Sequence, residues 1–175
     1  MADRERKPLD TDRIEAICER VSAPLDRSEG RDIYDLREEL EGIMWEHVGV
    51  VRNEESLNEG IERIKGVHDA LNEVAVPGSS RYNLAWNEFM NVENLVIAAE
   101  MVARSARYRT ESRGAHYREE HPDRDDENWL ANVFVERGDD GMNVRREDVA
   151  LTRLHPDDLS DGVTLPDKED DAVAD

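Results

Sequence analysis

Apolar residues recur every three or four positions in three long stretches, the spacing of a helix with one buried face. The first stretch begins at Ile33 and ends near Gly49, a typical helix stop. The second follows Asn53, a candidate N-cap, and the third runs from Asn83 to about Arg109. The predicted buried faces are, in order, Leu36, Leu40, Ile43, Met44 and His47; Leu57, Ile61, Ile64, His68 and Leu71; and Val92, Leu95, Val96, Ala99, Val102, Ala103 and Ala106.

Short connections between these stretches predict an antiparallel three-helix bundle over residues 31–114. Residues 1–30 are interpreted as a linker or leader with one short helix over Asp12–Val21. Residues 115–155 predict a charged loop and a β-hairpin, with strands at 129–136 and 149–154 around a turn at 138–141. Residues 156–175 are rich in aspartate and predict a disordered tail. The predicted fold class is therefore mainly α, with one short β-hairpin.

Charge excludes several classes of function. The 175 residues include 43 acidic and 23 basic side chains, a formal net charge of −20, so phosphate groups would repel the chain. Nucleic acid and anionic membranes are therefore poor partners. No apolar run approaches the ~18 residues that a membrane span needs, and the charged N-terminus does not resemble a secretory signal. Cys18 is the only cysteine, which excludes an internal disulfide, and we expect it to be a half-buried packing residue.

The high acidic content and the scarcity of lysine indicate a high-salt habitat. Lysine occurs at only three positions, and arginine supplies the rest of the basic residues. A high acidic content with little lysine is typical of proteins from a cytosol of very high salt, where carboxylates hold water and salt screens their repulsion. The alternative is an ordinary acidic protein from low salt.

Residues 107–129 alternate arginines with carboxylates, a pattern that predicts two-point ion pairs within a salt-bridged loop. Three functional interpretations compete with that one. An anion or substrate site could use the arginines, Ser112 with His116 and Asp123 could form a nucleophilic set, and His116, His121, Asp123 and Asp125 could bind a cation. The absence of a G-x-S-x-G turn argues against the second, and the nearby arginines argue against the third.

The remaining aromatic and histidine residues are interpreted as packing groups. His47 and His68 fall on predicted apolar faces, and Trp45, Trp86 and Trp129 are expected to be core or interface anchors. Neither G-x-G-x-x-G nor G-x-x-x-x-G-K-[ST] occurs in the sequence, so no phosphate-binding loop of either kind is predicted.

The string RTESRGAHYREEHPDRDDENWL at residues 109–130 resembles a known signature. It is similar to the segment near the C-terminus of succinate dehydrogenase and fumarate reductase flavoprotein subunits, which L-aspartate oxidase shares. Upstream, LREEL at 36–40, MW at 44–45 and VGVVR at 48–52 resemble the first bundle helix of that family and the turn after it. The resemblance covers about Ile33–Leu154.

The resemblance implies a C-terminal domain made of a three-helix bundle and a short β segment, which packs on an FAD domain. In the complete flavoprotein, hydride passes between a C4 dicarboxylate and FAD. The flavin, substrate and catalytic motifs of the family belong to its FAD and capping domains. The resemblance therefore implies no catalytic, cofactor-binding or metal-binding residue in this chain, which we expect to be inactive alone, with FAD bound only in the complete subunit.

The matching signature residues are assigned to domain docking: Arg109, Glu111, Ser112, Arg113, Gly114, His116, Arg118, Pro122, Asp123, Arg124, Asp125 and Trp129. The implied partners are the iron–sulfur subunit of the complex and the FAD-binding domain of the flavoprotein itself, with no nucleic acid and no direct membrane insertion. The implied location is the cytoplasm, peripheral to the membrane through the complex.

Two questions stay open at this point. The signature is common to enzymes of succinate oxidation, fumarate reduction and aspartate oxidation. The acidic composition and the pattern Met-Trp-x-x-Val-Gly-Val at residues 44–50 favour succinate dehydrogenase of the tricarboxylic acid cycle. The alternative from another class is an independent helical-bundle adaptor without redox activity, which would keep the shape of the domain and bind a different partner.

Overall fold

The computed structural model describes residues 9–138 and 141–150. Most of these residues are helical, and the only long strands among them form one antiparallel pair. The helices are α1 (Thr11–Ser22), α2 (Ile33–His47), α3 (Glu54–Ala70), α4 (Leu84–Tyr108) and α5 (Asp126–Trp129). The strands are β1 (Val51–Arg52), β2 (Tyr117–Arg118), β3 (Ala131–Gly138) and β4 (Gly141–Asp148). The prediction of a mainly helical chain with a short strand pair is confirmed, whereas the predicted tail at 156–175 lies outside the described residues.

Helices α3 and α4 begin where the sequence predicts, each with an asparagine side chain as its N-cap. The Asn53 side chain accepts a hydrogen bond from the Ser56 amide at 2.8 Å, and the Asn83 side chain accepts one from the Trp86 amide at 3.1 Å. Each bond satisfies an amide that has no partner inside the helix. The predicted N-cap at Asn53 is confirmed, and Asn83, where the third helix was predicted to begin, caps α4 in the same way.

Helices α2, α3 and α4 contact one another in all three pairs and share one apolar core. One residue of the predicted α3 face is not buried: the His68 side chain is 63% exposed, and the neighbouring Val67 is buried instead. On α4, Phe89 joins the core, whereas Leu95 and Val102 are exposed. The buried face of α4 is therefore narrower than the run of apolar residues along the helix predicts.

Two residues predicted as packing groups lie at the surface. Helix α1 has no buried residue, and Cys18 on it is exposed, so its expected half-buried position is wrong. Trp45 is 87% exposed and is therefore not a core anchor, whereas Trp86 is partly buried and donates to the Val21 carbonyl at 2.7 Å.

The strands form two separate pairs. Strand β1, between α2 and α3, pairs in parallel with β2 from the 109–130 segment, and β3 pairs with β4 to form the hairpin, which contacts α4. The return strand occupies Gly141–Asp148, so its predicted position at 149–154 is wrong. Gly138 pairs with Gly141, so the return strand begins three residues after the end of β3.

Candidate functional site: a charged network at the helix ends

Residues 109–130, here called the signature loop, cross the region where α2, α3 and α4 begin or end. The amides of Tyr117 and Glu119 donate to the carbonyls of Val50 and Arg52 at 3.3 and 2.9 Å. These two bonds attach the loop to the connection between α2 and α3. The loop therefore reaches helix ends that are far apart in sequence.

Glu111 is completely buried within the loop. It accepts hydrogen bonds from Arg113 at 2.8 and 3.0 Å, from the Asp125 amide at 2.8 Å and from Arg109. Burial raises the pKa of Glu111, but the hydrogen bonds from these three donors outweigh it and hold the pKa below its ordinary value. The carboxylate is therefore charged and matched on both oxygens, so it organises the loop around itself.

Arg118, also completely buried, closes the C-terminal end of α4. Its Nη1 donates to the carbonyls of Ala106, Arg107 and Arg109 at 3.2, 3.0 and 3.2 Å. A cation at the last carbonyls of a helix satisfies acceptors that lack partners and opposes the negative end of the helix dipole. Glu120 lies 3.3 Å from its Nε and supplies the countercharge.

A positive charge lies at the C-terminal end of α2 and a negative charge at the N-terminal end of α3, the signs that the helix dipoles favour. Arg52 donates through Nε and Nη2 to the Val48 carbonyl, at 3.3 and 3.2 Å, just beyond the end of α2. At the beginning of α3, Glu120 accepts from the Glu54 amide at 2.6 Å. The sequence analysis does not assign Arg52 or Glu120 to the site. Arg52 directly precedes the predicted N-cap Asn53, and Glu120 lies two residues after Arg118.

His116 joins this network as a neutral acceptor. Arg52 Nη1 lies 2.6 Å from His116 Nδ1, and His116 Nε2 lies 3.4 Å from the Arg109 carbonyl oxygen. Burial lowers the pKa of His116, and three nearby arginines lower it further. The geometry fits the tautomer with the proton on Nε2. In this tautomer Nδ1 accepts a hydrogen bond from Arg52, and Nε2 donates one to the Arg109 carbonyl.

Trp129 joins the loop to the hairpin. Its indole N–H donates to the Thr110 hydroxyl at 3.1 Å, and its ring packs edge-on against Tyr108 with centroids 5.7 Å apart. Arg109 and Arg146 lie over the same ring at 5.2 and 5.5 Å. The residue is 8% exposed, which confirms it as a packing anchor.

The other predicted site residues have smaller roles. Gly114 adopts a φ of +60° in the tight turn that joins Arg113 to His116. Asp125 caps α5 by accepting from the Asn128 amide at 3.0 Å, and Asp123 contributes its carbonyl oxygen to the Ser112 amide at 3.1 Å. Four members of the set are exposed, namely Gly114, Pro122, Asp123 and Arg124, and Arg124 pairs with Asp126 at 2.8 Å.

This arrangement gives little support to reactive chemistry in the loop. The Ser112 hydroxyl donates to the His121 carbonyl at 2.7 Å and accepts from the Arg118 amide at 2.9 Å, so main-chain groups engage it. Across residues 9–138 and 141–150, no three histidine, cysteine, aspartate or glutamate side chains are grouped to hold a metal ion. The helices within those ranges include none with the length and apolar character of a membrane span.

Comparison with known proteins identifies the family. A family model described as the fumarate reductase flavoprotein C-terminus matches residues 37–161. The CoM/CoB fumarate reductase of Methanothermobacter marburgensis has one subunit that is 38% identical over 103 residues, which are 59% of this chain and 19% of that protein. The succinate dehydrogenase flavoprotein subunit of Rickettsia bellii is 34% identical over 132 residues, which are 73% of this chain and 22% of that protein.

The fold agrees with a solved structure. The Sdh1 complex of Mycobacterium smegmatis in the apo form contains one polypeptide that matches with a TM-score of 0.74 and 28% identity, over 89% of this chain and 27% of that one. This chain thus spans only about a fifth to a quarter of the length of these relatives. The resemblance seen in the signature is confirmed, and the adaptor alternative gains no support. The chain belongs to the family of fumarate reductase flavoprotein C-terminal domains.

Proposed function

We propose that this chain is the C-terminal domain of a succinate dehydrogenase or fumarate reductase type flavoprotein, in which it packs on the FAD-binding domain. In this proposal, α2, α3 and α4 form an antiparallel three-helix bundle followed by the hairpin. The complete subunit transfers hydride between a C4 dicarboxylate and FAD. The observation that carries the proposal is the family match over residues 37–161, which includes the whole signature loop.

The contribution of this chain is structural. Glu111 and Arg118 hold the signature loop across three helix ends, and the twelve signature residues together keep the docking surface in one shape. These buried charges resist rearrangement, because Glu111 would lose its hydrogen-bond donors and Arg118 the carbonyls that accept from its Nη1. In this proposal no residue of the chain touches the reacting atoms.

FAD does not fit the residues of this chain by themselves. The sequence contains no G-x-G-x-x-G turn, the loop that holds the pyrophosphate of a dinucleotide. We therefore place FAD in the part of the subunit that the relatives possess beyond the region they share with this chain. The iron–sulfur subunit is the proposed electron partner, in a complex at the cytoplasmic face of the membrane.

The test is reconstitution. The purified chain is mixed with the flavin-binding polypeptide from the same genome, and succinate-dependent dye reduction is measured. We expect the chain alone to be colourless and inactive, and the mixture to turn over at least tenfold faster than the flavin-binding polypeptide alone. A yellow flavin bound to the chain alone, or a mixture no faster than its flavin-binding component, would contradict the proposal.

A further inference from the structure

Helix α4 carries its charged residues on restricted sides. Glu93 pairs with Arg20 at 3.1 Å, and Glu88 pairs with Arg37 at 2.7 Å, so both glutamates are engaged by neighbouring helices. The remaining charges are Glu100, Arg104 and Arg107, which cluster near the C-terminal half. The rest of the circumference of this 25-residue helix bears no charge.

One solvent-exposed strip of that circumference, here called the α4 outer face, is continuous along the helix. Its members are Asn87, Asn91, Asn94, Leu95, Ala98 and Val102, all exposed. They recur at intervals of three and four and extend for about 22 Å at the rise of an α-helix. Leu95 and Val102 are 43% and 48% exposed, which is high for large apolar side chains.

Such a face is out of keeping with the rest of the molecule. Charged residues are 38% of the sequence, and the exposed side of α3 carries Glu55, Glu59, Glu62, Lys65 and Asp69. A helix side that faces water permanently is normally polar and charged, whereas depletion of charge marks the centre of a protein interface. The α4 outer face therefore has the composition of a surface that is covered.

A groove continues this face toward the hairpin. Val102 and Ser105 of α4 form one wall, Val133 and Val135 of β3 form the other, and the volume is about 450 Å³. Arg52, Arg109 and His116 also line the groove, and no aspartate or glutamate does. An apolar side chain from a partner could be inserted there next to the α4 outer face, which would give the contact a fixed register.

We propose that the flavin-binding part of the same subunit docks on the α4 outer face. This face extends the docking surface of the signature residues, since Arg109 and His116 line the same groove as Val102. This inference rests on the proposed function. The shared region is only 19% and 22% of two of the relatives, so most of the subunit lies outside this chain and must meet it on some surface. At low ionic strength a second copy is the poorer occupant, because two chains of net charge −20 then repel each other.

The complementary surface is uncharged and apolar, with amide-bonding groups opposite the asparagines. An acidic partner surface would be repelled by most of this chain but not by the α4 outer face. Burial of Leu95 and Val102 stabilises the contact, because removing large apolar side chains from water is the main favourable contribution to protein association.

The experiment measures binding of the full chain to the flavin-binding polypeptide by sedimentation. Ala98→Glu places a charged side chain at the centre of the α4 outer face, and Asn91→Glu is a second variant that removes no apolar packing. Gly66→Glu is the matched control, because it adds the same side chain at an exposed helical position with open space around it. Melting curves by circular dichroism establish that all variants fold.

We expect Kd to increase at least tenfold for both α4 variants and to stay within twofold of the wild type for Gly66→Glu. Equal binding by all four proteins would overturn the docking surface and leave the proposed function intact. Failure of the wild type to bind would overturn the proposed function, and this inference with it. A wild-type dimer that Ala98→Glu dissociates would show that a second copy occupies the face and would also overturn the inference.

Discussion

At the residue scale, burial of charge is confined to a single region. Among the residues that the structure describes, Glu111 and Arg118 are the buried charged side chains, and both belong to the signature loop. A buried ion costs several kcal/mol to desolvate and is tolerated only when hydrogen bonds match it. Here the donors to Glu111 come from three positions of one loop, so the cost of burial is offset locally.

Replacing Glu111 by glutamine tests this account. The variant keeps the shape but leaves Arg109 and Arg113 facing a neutral amide, so we expect a loss of about 2–4 kcal/mol in the free energy of unfolding. Urea denaturation of both proteins at pH 7 measures it. A loss below about 0.5 kcal/mol would mean that the ion pairs contribute as little as exposed ones do.

The same pair of proteins should differ in acid. Because the folded-state pKa of Glu111 lies below its unfolded value, its contribution is complete above the unfolded pKa and is lost as pH falls through the folded one. The stability of the wild type should therefore decrease more steeply than that of Glu111→Gln between about pH 5 and pH 3. Parallel curves would contradict the depressed pKa.

At the element scale, the helices are joined by groups that complete one another's ends. Arg118 caps α4, Arg52 caps α2, and Glu120 with Asn53 caps α3. Each charge has the sign that the helix dipole favours at that end. The signature loop and the α2–α3 connection therefore link the ends of the three helices. These links add to the apolar core between the helix faces.

Removal of the α4 cap should be costly. Arg118→Met preserves much of the apolar stem but leaves three helix carbonyls without their donor, and we expect a loss of about 3 kcal/mol in unfolding free energy. The matched control is Arg124→Ala, because Arg124 is exposed and its pair should contribute less than about 1 kcal/mol. Equal losses from the two variants would contradict the capping role.

The hairpin depends on its turn. Gly141 has a φ of +123°, which side chains rarely adopt, so Gly141→Ala should destabilise the chain by roughly 1–3 kcal/mol. Gly66→Ala is the opposite case, because it lies on the open side of α3 and should stabilise by up to about 1 kcal/mol. Thermal melting of both variants measures the two shifts, and shifts of the same sign would refute this interpretation of the turn.

At the scale of the whole molecule, the net charge of −20 governs behaviour in salt. At low ionic strength the carboxylates repel across the surface, and at 1 M salt the screening length falls to about 3 Å. We therefore propose that the folded state requires high salt, in agreement with the habitat that the composition predicts.

This requirement predicts a strong dependence of melting temperature on salt. Between roughly 0.1 and 2 M KCl we expect Tm to rise by roughly 4–8 °C, equivalent to about 2 kcal/mol for a chain of this size. Sucrose at equal osmolality is the control, since it favours compact states by exclusion but does not screen charge. A Tm that is flat in KCl, or that rises equally in sucrose, would exclude charge screening as the cause.

The sequence by itself determined the three long helices, the asparagine cap at Asn53 and the family, because helical period, capping and signature each depend on residues close together along the chain. Only the tertiary structure decided the margins of the buried helix faces, as Val67 in place of His68 and the exposure of Leu95 demonstrate. It also decided where the return strand lies and that Glu111 and Arg118 are buried. The physical reason is that burial depends on partners, and the chain brings those partners together only when distant elements pack.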